Sequence, residues 1–97
     1  MPHMRASLLT AICLVSLWAV PVEGRDRAAA REAFQKATEY QNWLFSQPQE
    51  SRSQAQYRRS IYLFRLVVDN DPTYGACDDA LFAMAQLYDE MGQRFDK

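Results

Sequence analysis

Apolar residues recur every three or four positions through residues 57–92, which is the spacing of one helix face. The first part of this stretch predicts a helix over residues 54–69. Ser53 is the predicted N-cap, and Gln56 three positions on completes a capping box, with Ser51 as the alternative cap. The element is therefore marked both by its periodicity and by its start signal.

The predicted helix over residues 54–69 carries apolar side chains over most of its circumference. One face holds Tyr57, Ser60, Ile61, Phe64, Val67 and Val68. The opposite side holds Tyr62, Leu63 and Leu66. Because a helix of this kind is usually packed on more than one side, we expect it to lie between two neighbours.

A further helix is predicted over residues 76–91, after a break at Asp71-Pro72. Its expected buried stripe is Leu81, Met84, Ala85 and Tyr88, with Leu87 and Met91 beside it. Asp78 and Asp79 in the first turn suit the positive end of the helix dipole. Gly92 is predicted to close the helix in the left-handed conformation.

An earlier helix is predicted over residues 26–45. Its stripe is Ala33, Ala37, Tyr40 and Leu44, widened by Phe34 and Phe45. It should end near Ser46, because Pro48 disfavours helical geometry in the residue before it. Glycine and proline are scarce, so the fold class predicted for the chain is all-α, with about three helices after residue 24.

Residues 1–24 have the pattern of a secretory signal peptide. Arg5 precedes an apolar run over residues 6–20, and Val22-Glu23-Gly24 follows Pro21. Cleavage is expected after Gly24, or alternatively after Ala19, and the protein is predicted to be exported to the periplasm or cell envelope. A retained membrane anchor is the alternative, although the run is short for a span. Lipidation at Cys13 is disfavoured because Ile12 is not small.

The inventory of reactive residues gives no catalytic, cofactor-binding or metal-binding site. Cleavage would remove His3, the single histidine, and would leave Cys77 as the only cysteine. Catalytic zinc sites and Ser-His or Cys-His pairs rely on histidine. The acidic pairs Asp69/Asp71, Asp78/Asp79 and Asp89/Glu90 are interpreted as solvated helix-terminal charges, and Cys77 as a small core or turn residue. Eleven basic and twelve acidic residues give no reason to expect nucleic acid as a partner.

The two best-marked helices resemble a junction between tetratricopeptide repeats. The matching positions are Tyr57, Ser60, Phe64, Val67, Pro72, Leu81, Met84, Ala85, Tyr88 and Gly92. The resemblance implies antiparallel helix hairpins of a solenoid, with residues 25–97 as a partial repeat region. Ser60 and Ala85 would be the small residues where helices approach closely. The turn after Pro72 is longer than in the standard repeat.

A narrower resemblance covers most of residues 25–97. Glu50-Ser51-Arg52, Tyr57-Arg58-Arg59, Asp79-Ala80-Leu81-Phe82 and Tyr88-Asp89-Glu90-Met91-Gly92 are similar to the helical N-terminal region of certain bacterial N-acetylmuramoyl-L-alanine amidases. In that family the region precedes a zinc hydrolase domain that acts on peptidoglycan. None of that domain's zinc ligands is present in this chain, so zinc would be implied only by a domain downstream.

Two principal functions are therefore predicted. The first is a non-catalytic, exported scaffold that forms the N-terminal part of a cell-wall amidase. The alternative is an envelope repeat protein that binds protein partners and has no enzymatic domain; a structural protein without a specific partner is a third hypothesis. Expected partners are other proteins or further repeats of the same chain, with membrane contact only during export. Arg58, Tyr62 and Arg65 are the candidate partner-binding residues, and inter-helix packing with solvated arginine tips is the alternative interpretation.

Overall fold

The computed structural model describes residues 25–96, which form three α-helices joined by short connections. They are α1 (Arg27–Ser46), α2 (Gln54–Asn70) and α3 (Cys77–Phe95), with a 3₁₀ turn at Gln49–Ser51. Helix α2 packs against both α1 and α3. The all-helical prediction and the central position of the second helix are therefore confirmed for this part of the chain.

Helix α1 begins and ends at local signals in the sequence. The Asp26 side chain accepts a hydrogen bond from the Ala29 N–H at 2.9 Å, which caps the first turn. The helix stops at Ser46, as predicted from Pro48. Its fully buried residues are Ala30, Ala37 and Leu44, whereas Ala33, Phe34 and Tyr40 are partly buried. The prediction that Phe45 widens the buried stripe is wrong, because its side chain is 41% exposed.

Helix α2 has the predicted start and the predicted buried face. Ser53 accepts from the Gln56 N–H at 3.2 Å, and Gln56 Oε1 accepts from the Ser53 N–H at 2.9 Å. Ser51, the alternative cap, belongs instead to the 3₁₀ turn. The residues buried on α2 are Tyr57, Ser60, Ile61, Phe64 and Val67, and Val68 is partly buried. Phe64 meets Phe34 of α1 edge to face, with ring centroids 6.2 Å apart.

The turn between α2 and α3 is built around Asp71, which is only 2% exposed. Its Oδ1 accepts from the Thr73 N–H at 2.9 Å and from the Thr73 hydroxyl at 2.6 Å. The Cys77 thiol donates to the Asp71 carbonyl oxygen at 3.2 Å. The interpretation of Asp71 as a solvated charge is therefore wrong, because the turn encloses the carboxylate. Cys77 is a buried residue at this turn, as predicted.

Helix α3 presents a different face to α2 from the one predicted. The buried residues are Cys77, Ala80, Ala83 and Leu87. The stripe predicted to be buried is largely outside the core: Leu81, Ala85 and Tyr88 are exposed, and Met84 is partly buried. The small side chains of Ala80 and Ala83 allow α3 to lie close to α2 on the observed face. Helix α3 is thus rotated about its own axis relative to the prediction.

Gly92 does not close α3. The helix continues to Phe95, and Gly92 does not adopt a left-handed conformation. Beyond the glycine, Arg94 and Phe95 contact Tyr57 near the start of α2, with the two aromatic rings 6.0 Å apart. These contacts offset the cost of a glycine inside a helix, which is about 1 kcal/mol.

The predicted signal peptide, residues 1–24, lies outside the described residues. Among the helices of residues 25–96, none combines the length and the apolar character needed to cross a membrane.

Candidate functional site

An open groove of about 240 Å³ lies between α2 and α3. The α2 residues that line it are Arg58, Ile61, Tyr62 and Arg65, and the α3 residues are Tyr88 and Met91. The three predicted partner-binding residues, Arg58, Tyr62 and Arg65, are thus brought together on one surface. The sequence did not predict that Ile61, Tyr88 and Met91 would line a groove. Tyr88 was expected to be buried and is exposed, whereas Met91 packs against the core as expected.

Large apolar side chains in this groove and on the same side of α3 are exposed. Tyr62 is 57% exposed, Tyr88 is 56% exposed, and Leu81 is 51% exposed. Leu81 and Tyr88 are seven residues apart on α3 and therefore lie on the same side of that helix. Single exposed apolar residues are ordinary, but several on one surface are typical of interaction sites. We refer to Arg58, Ile61, Tyr62, Arg65, Leu81, Tyr88 and Met91 as the α2–α3 face.

The charged groups of the α2–α3 face are arginines. Arg58 and Arg65 are both exposed, and no acidic residue lines the groove. Within residues 25–96 the basic partners of ion pairs are Arg27, Lys36 and Arg52. Arg58 and Arg65 therefore lie beside an apolar surface without an acidic partner in the described part of the chain.

A cluster of polar side chains joins the start of α2 to the end of α3. Arg52 lies 3.2 Å from a carboxylate oxygen of Glu90, and the Tyr57 hydroxyl donates a hydrogen bond to the same oxygen. Arg94 donates to the Arg52 carbonyl oxygen at 2.6 Å. The interpretation of Glu90 as a solvated charge is therefore wrong. Glu90 directly precedes Met91 in α3. The cluster therefore also fixes the position of Met91, which lines the groove.

The ionisable groups inside the fold have structural partners. Hydrogen bonds from the Thr73 hydroxyl and backbone N–H hold the pKa of Asp71 below its ordinary value, and burial acts in the opposite direction. Burial raises the pKa of the Cys77 thiol, which disfavours the thiolate, the reactive form of cysteine. Residues 25–96 contain no group of three or more acidic, cysteine or histidine residues arranged to hold a metal ion.

A second groove, of about 230 Å³, lies between α1 and α2. It is lined by Ala29, Glu32, Ala33, Lys36, Leu63, Leu66 and Asn70. Lys36 and Glu32 pair with each other at 3.2 Å, so the charged side chains of this groove already have partners within it. The groove between α2 and α3 is therefore the better candidate for binding another molecule.

Comparison with protein-family models, with curated proteins and with solved structures finds no match to this chain. The similarities to tetratricopeptide repeats and to the amidases stay predictions from the sequence. The candidate site is accordingly defined by its geometry alone.

Proposed function

We propose that this chain is a non-catalytic helical scaffold that binds a protein partner through the α2–α3 face. The observation that carries the proposal is the exposure of Tyr62 and Tyr88 in the lining of one groove, with Leu81 exposed on the same side of α3 as Tyr88. Each of these side chains is about half exposed, so covering it contributes about 1 kcal/mol, roughly half the value for a fully exposed side chain.

The composition of the α2–α3 face is that of a protein interface. Tyrosine and arginine are enriched among the residues that dominate binding energies, and here two tyrosines and two arginines line one groove. The backbone beneath them is regular helix, which lowers the entropy lost on binding. These properties support the binding of a protein surface or peptide rather than the conversion of a small substrate.

The proposed cellular setting rests on the sequence. The pattern of residues 1–24 supports export to the periplasm or cell envelope. The similarity to the N-terminal region of cell-wall amidases supports a role as the scaffold beside a peptidoglycan hydrolase. An envelope protein that binds partners and has no enzymatic domain is the alternative, and both settings use the same face.

Site-specific crosslinking tests the proposed function. A photoreactive phenylalanine analogue would replace Tyr62 in the full chain, and Gln35, which is exposed on α1, would be the matched control position. Crosslinking is carried out in the cells from which the protein comes, and adducts are identified by mass spectrometry.

We expect a discrete protein adduct from position 62 that is absent from position 35. The adduct should be lost when Tyr88→Ser is added, because Tyr88 lines the same groove. Adducts of equal yield at both positions, or none at position 62, would contradict a partner-binding role for this face.

A further inference from the structure

We infer that the partner segment bound by the α2–α3 face is an acidic amphipathic helix in which two carboxylates, seven residues apart, flank a pair of apolar side chains. This inference rests on the proposed function and adds the chemistry of the partner. It follows from the spacing of Arg58 and Arg65, from the side chains between them and from the absence of acidic residues in the groove lining.

The two arginines are placed at a defined separation along α2. Arg58 and Arg65 are seven residues apart, which is two turns of helix or about 10.5 Å along the axis. Both guanidinium groups are on exposed residues beside the groove and have no acidic partner in residues 25–96. Two carboxylates at a matching separation would satisfy both charges at once.

A helix is the backbone that supplies this separation on a single face. Residues i and i+7 of a helix project from the same side and are separated by the same rise as Arg58 and Arg65. An extended peptide covers that distance in about three residues, and residues i and i+3 of a strand point to opposite sides. Residues on one side of an extended segment lie about 6.6 or about 13 Å apart, so a helix matches the separation of the arginines more closely.

The surface between the arginines requires apolar partners. Ile61 and Tyr62 lie between Arg58 and Arg65 in the sequence, and Met91 and Tyr88 face them from α3. On the bound helix, positions i+3 and i+4 lie between the two acidic residues on the same face. Leucine-like side chains there would cover the floor of the groove and remove both tyrosine rings from water.

The helices of this chain do not offer that pattern to a second copy. Within the described helices, one pair of acidic residues is seven apart, Glu32 and Glu39 in α1. The residues between them at the third and fourth positions are Gln35 and Lys36, which are polar. The acidic helix that binds is therefore not α1, α2 or α3 of a second copy.

Fluorescence anisotropy with a defined peptide tests the inference. The probe is a labelled helical peptide of about 18 residues, long enough to be partly helical in water, with two glutamates seven positions apart and leucine at the third and fourth positions between them. A matched probe carries glutamine in place of both glutamates. Each probe is titrated with the full chain at low and at high salt.

We expect the glutamate peptide to bind about five- to tenfold more tightly than the glutamine peptide, with the difference shrinking at high salt. The double variant R58Q/R65Q should abolish the preference. The control double variant R25Q/R31Q removes two exposed arginines outside the groove and should retain it. Thermal melts by circular dichroism would establish that both double variants remain folded.

Equal affinity for the two peptides would overturn the acidic-helix inference. The same conclusion would follow if R25Q/R31Q lost the preference for the glutamate peptide as fully as R58Q/R65Q does. The crosslink at position 62 and its loss in Tyr88→Ser are independent of peptide charge, so the proposed function would stand in that case. A concentration-dependent dimer in sedimentation that Tyr88→Ser removes would overturn the inference in favour of a second copy. Absence of any adduct at position 62 would instead contradict the proposed function.

Discussion

The Tyr57 hydroxyl, near the start of α2, donates a hydrogen bond to the Glu90 carboxylate near the end of α3. The two residues are 33 positions apart in the sequence, and Tyr57 is fully buried. Arg52 lies 3.2 Å from the same carboxylate oxygen. This contact holds the end of α3 against α2 and fixes the residues of α3 that line the groove.

Removing that hydroxyl should destabilise the fold. Tyr57→Phe keeps the ring contacts and deletes two hydrogen bonds, the one that the hydroxyl donates to Glu90 and the longer one that it accepts from Arg94 at 3.4 Å. We therefore expect a loss of about 1–3 kcal/mol in the free energy of unfolding. Urea unfolding followed by circular dichroism measures the change. Tyr62→Phe deletes an exposed hydroxyl and should stay within about 0.5 kcal/mol of the wild type. Equal effects of the two variants would show that the Tyr57 hydroxyl contributes nothing through Glu90.

Phe64 should be a principal core residue of the described helices. It is 2% exposed and packs edge to face on Phe34 of α1. Phe64→Ala should therefore cost about 3–5 kcal/mol, from lost burial and the cavity that remains. Phe82 is 65% exposed, and Phe82→Ala should change stability by about 0.5 kcal/mol or less. A near-neutral Phe64→Ala in thermal or urea unfolding would contradict the packing of α2 against α1.

Two serines of the α2 region should respond to alanine with opposite signs. Ser60 is fully buried, and its hydroxyl has no hydrogen-bond partner within residues 25–96. Ser60→Ala should raise the free energy of unfolding by about 1 kcal/mol, because it removes an unsatisfied polar group and favours the helix. Ser53→Ala removes the N-cap of α2 and should lower the free energy of unfolding by about 0.5–2 kcal/mol. Urea unfolding of both variants against the wild type gives the two signs, and a destabilising Ser60→Ala would indicate a partner for its hydroxyl.

Local signals in the sequence predicted α2 well. The capping box at Ser53 and Gln56 depends on residues three apart, and the burial of Tyr57, Phe64 and Val67 follows from one apolar stripe. Such features are determined within the helix itself. The end of α1 at Ser46 was predictable for the same reason, because Pro48 acts on its immediate neighbours.

Periodicity alone could not show which face of α3 is buried. This helix carries two stripes with helical spacing, one through Ala80, Ala83 and Leu87 and another through Leu81 and Tyr88. Larger side chains suggested the second stripe, whereas close approach to α2 selects the first. Among the residues that line the groove, the sequence consequently singled out only Arg58, Tyr62 and Arg65 as candidates for binding. Glu90 was misjudged because Arg52 and Tyr57 are distant in sequence, and spacing does not reveal such partners.

The buried carboxylate of Asp71 should make stability depend on acid pH. Hydrogen bonds from Thr73 hold its pKa in the folded state below the ordinary value of 3.8. A depressed carboxyl pKa contributes stability at pH values above the unfolded-state pKa, and that contribution is lost as the pH falls through the folded-state pKa. Urea unfolding measured between about pH 6 and about pH 2 should therefore show a steeper acid loss in the wild type than in Asp71→Asn, whose side chain does not titrate.

Thr73→Ala refines this test, because it removes the hydroxyl donor and leaves the Thr73 backbone N–H in place. Since the hydroxyl is the largest cause of the lowered pKa of Asp71, the variant should have an acid dependence between those of the wild type and Asp71→Asn. Acid profiles with the same slope in all three proteins would mean that Asp71 titrates alike in the folded and unfolded chains. The ionised carboxylate of Asp71 would then not stabilise the turn between α2 and α3.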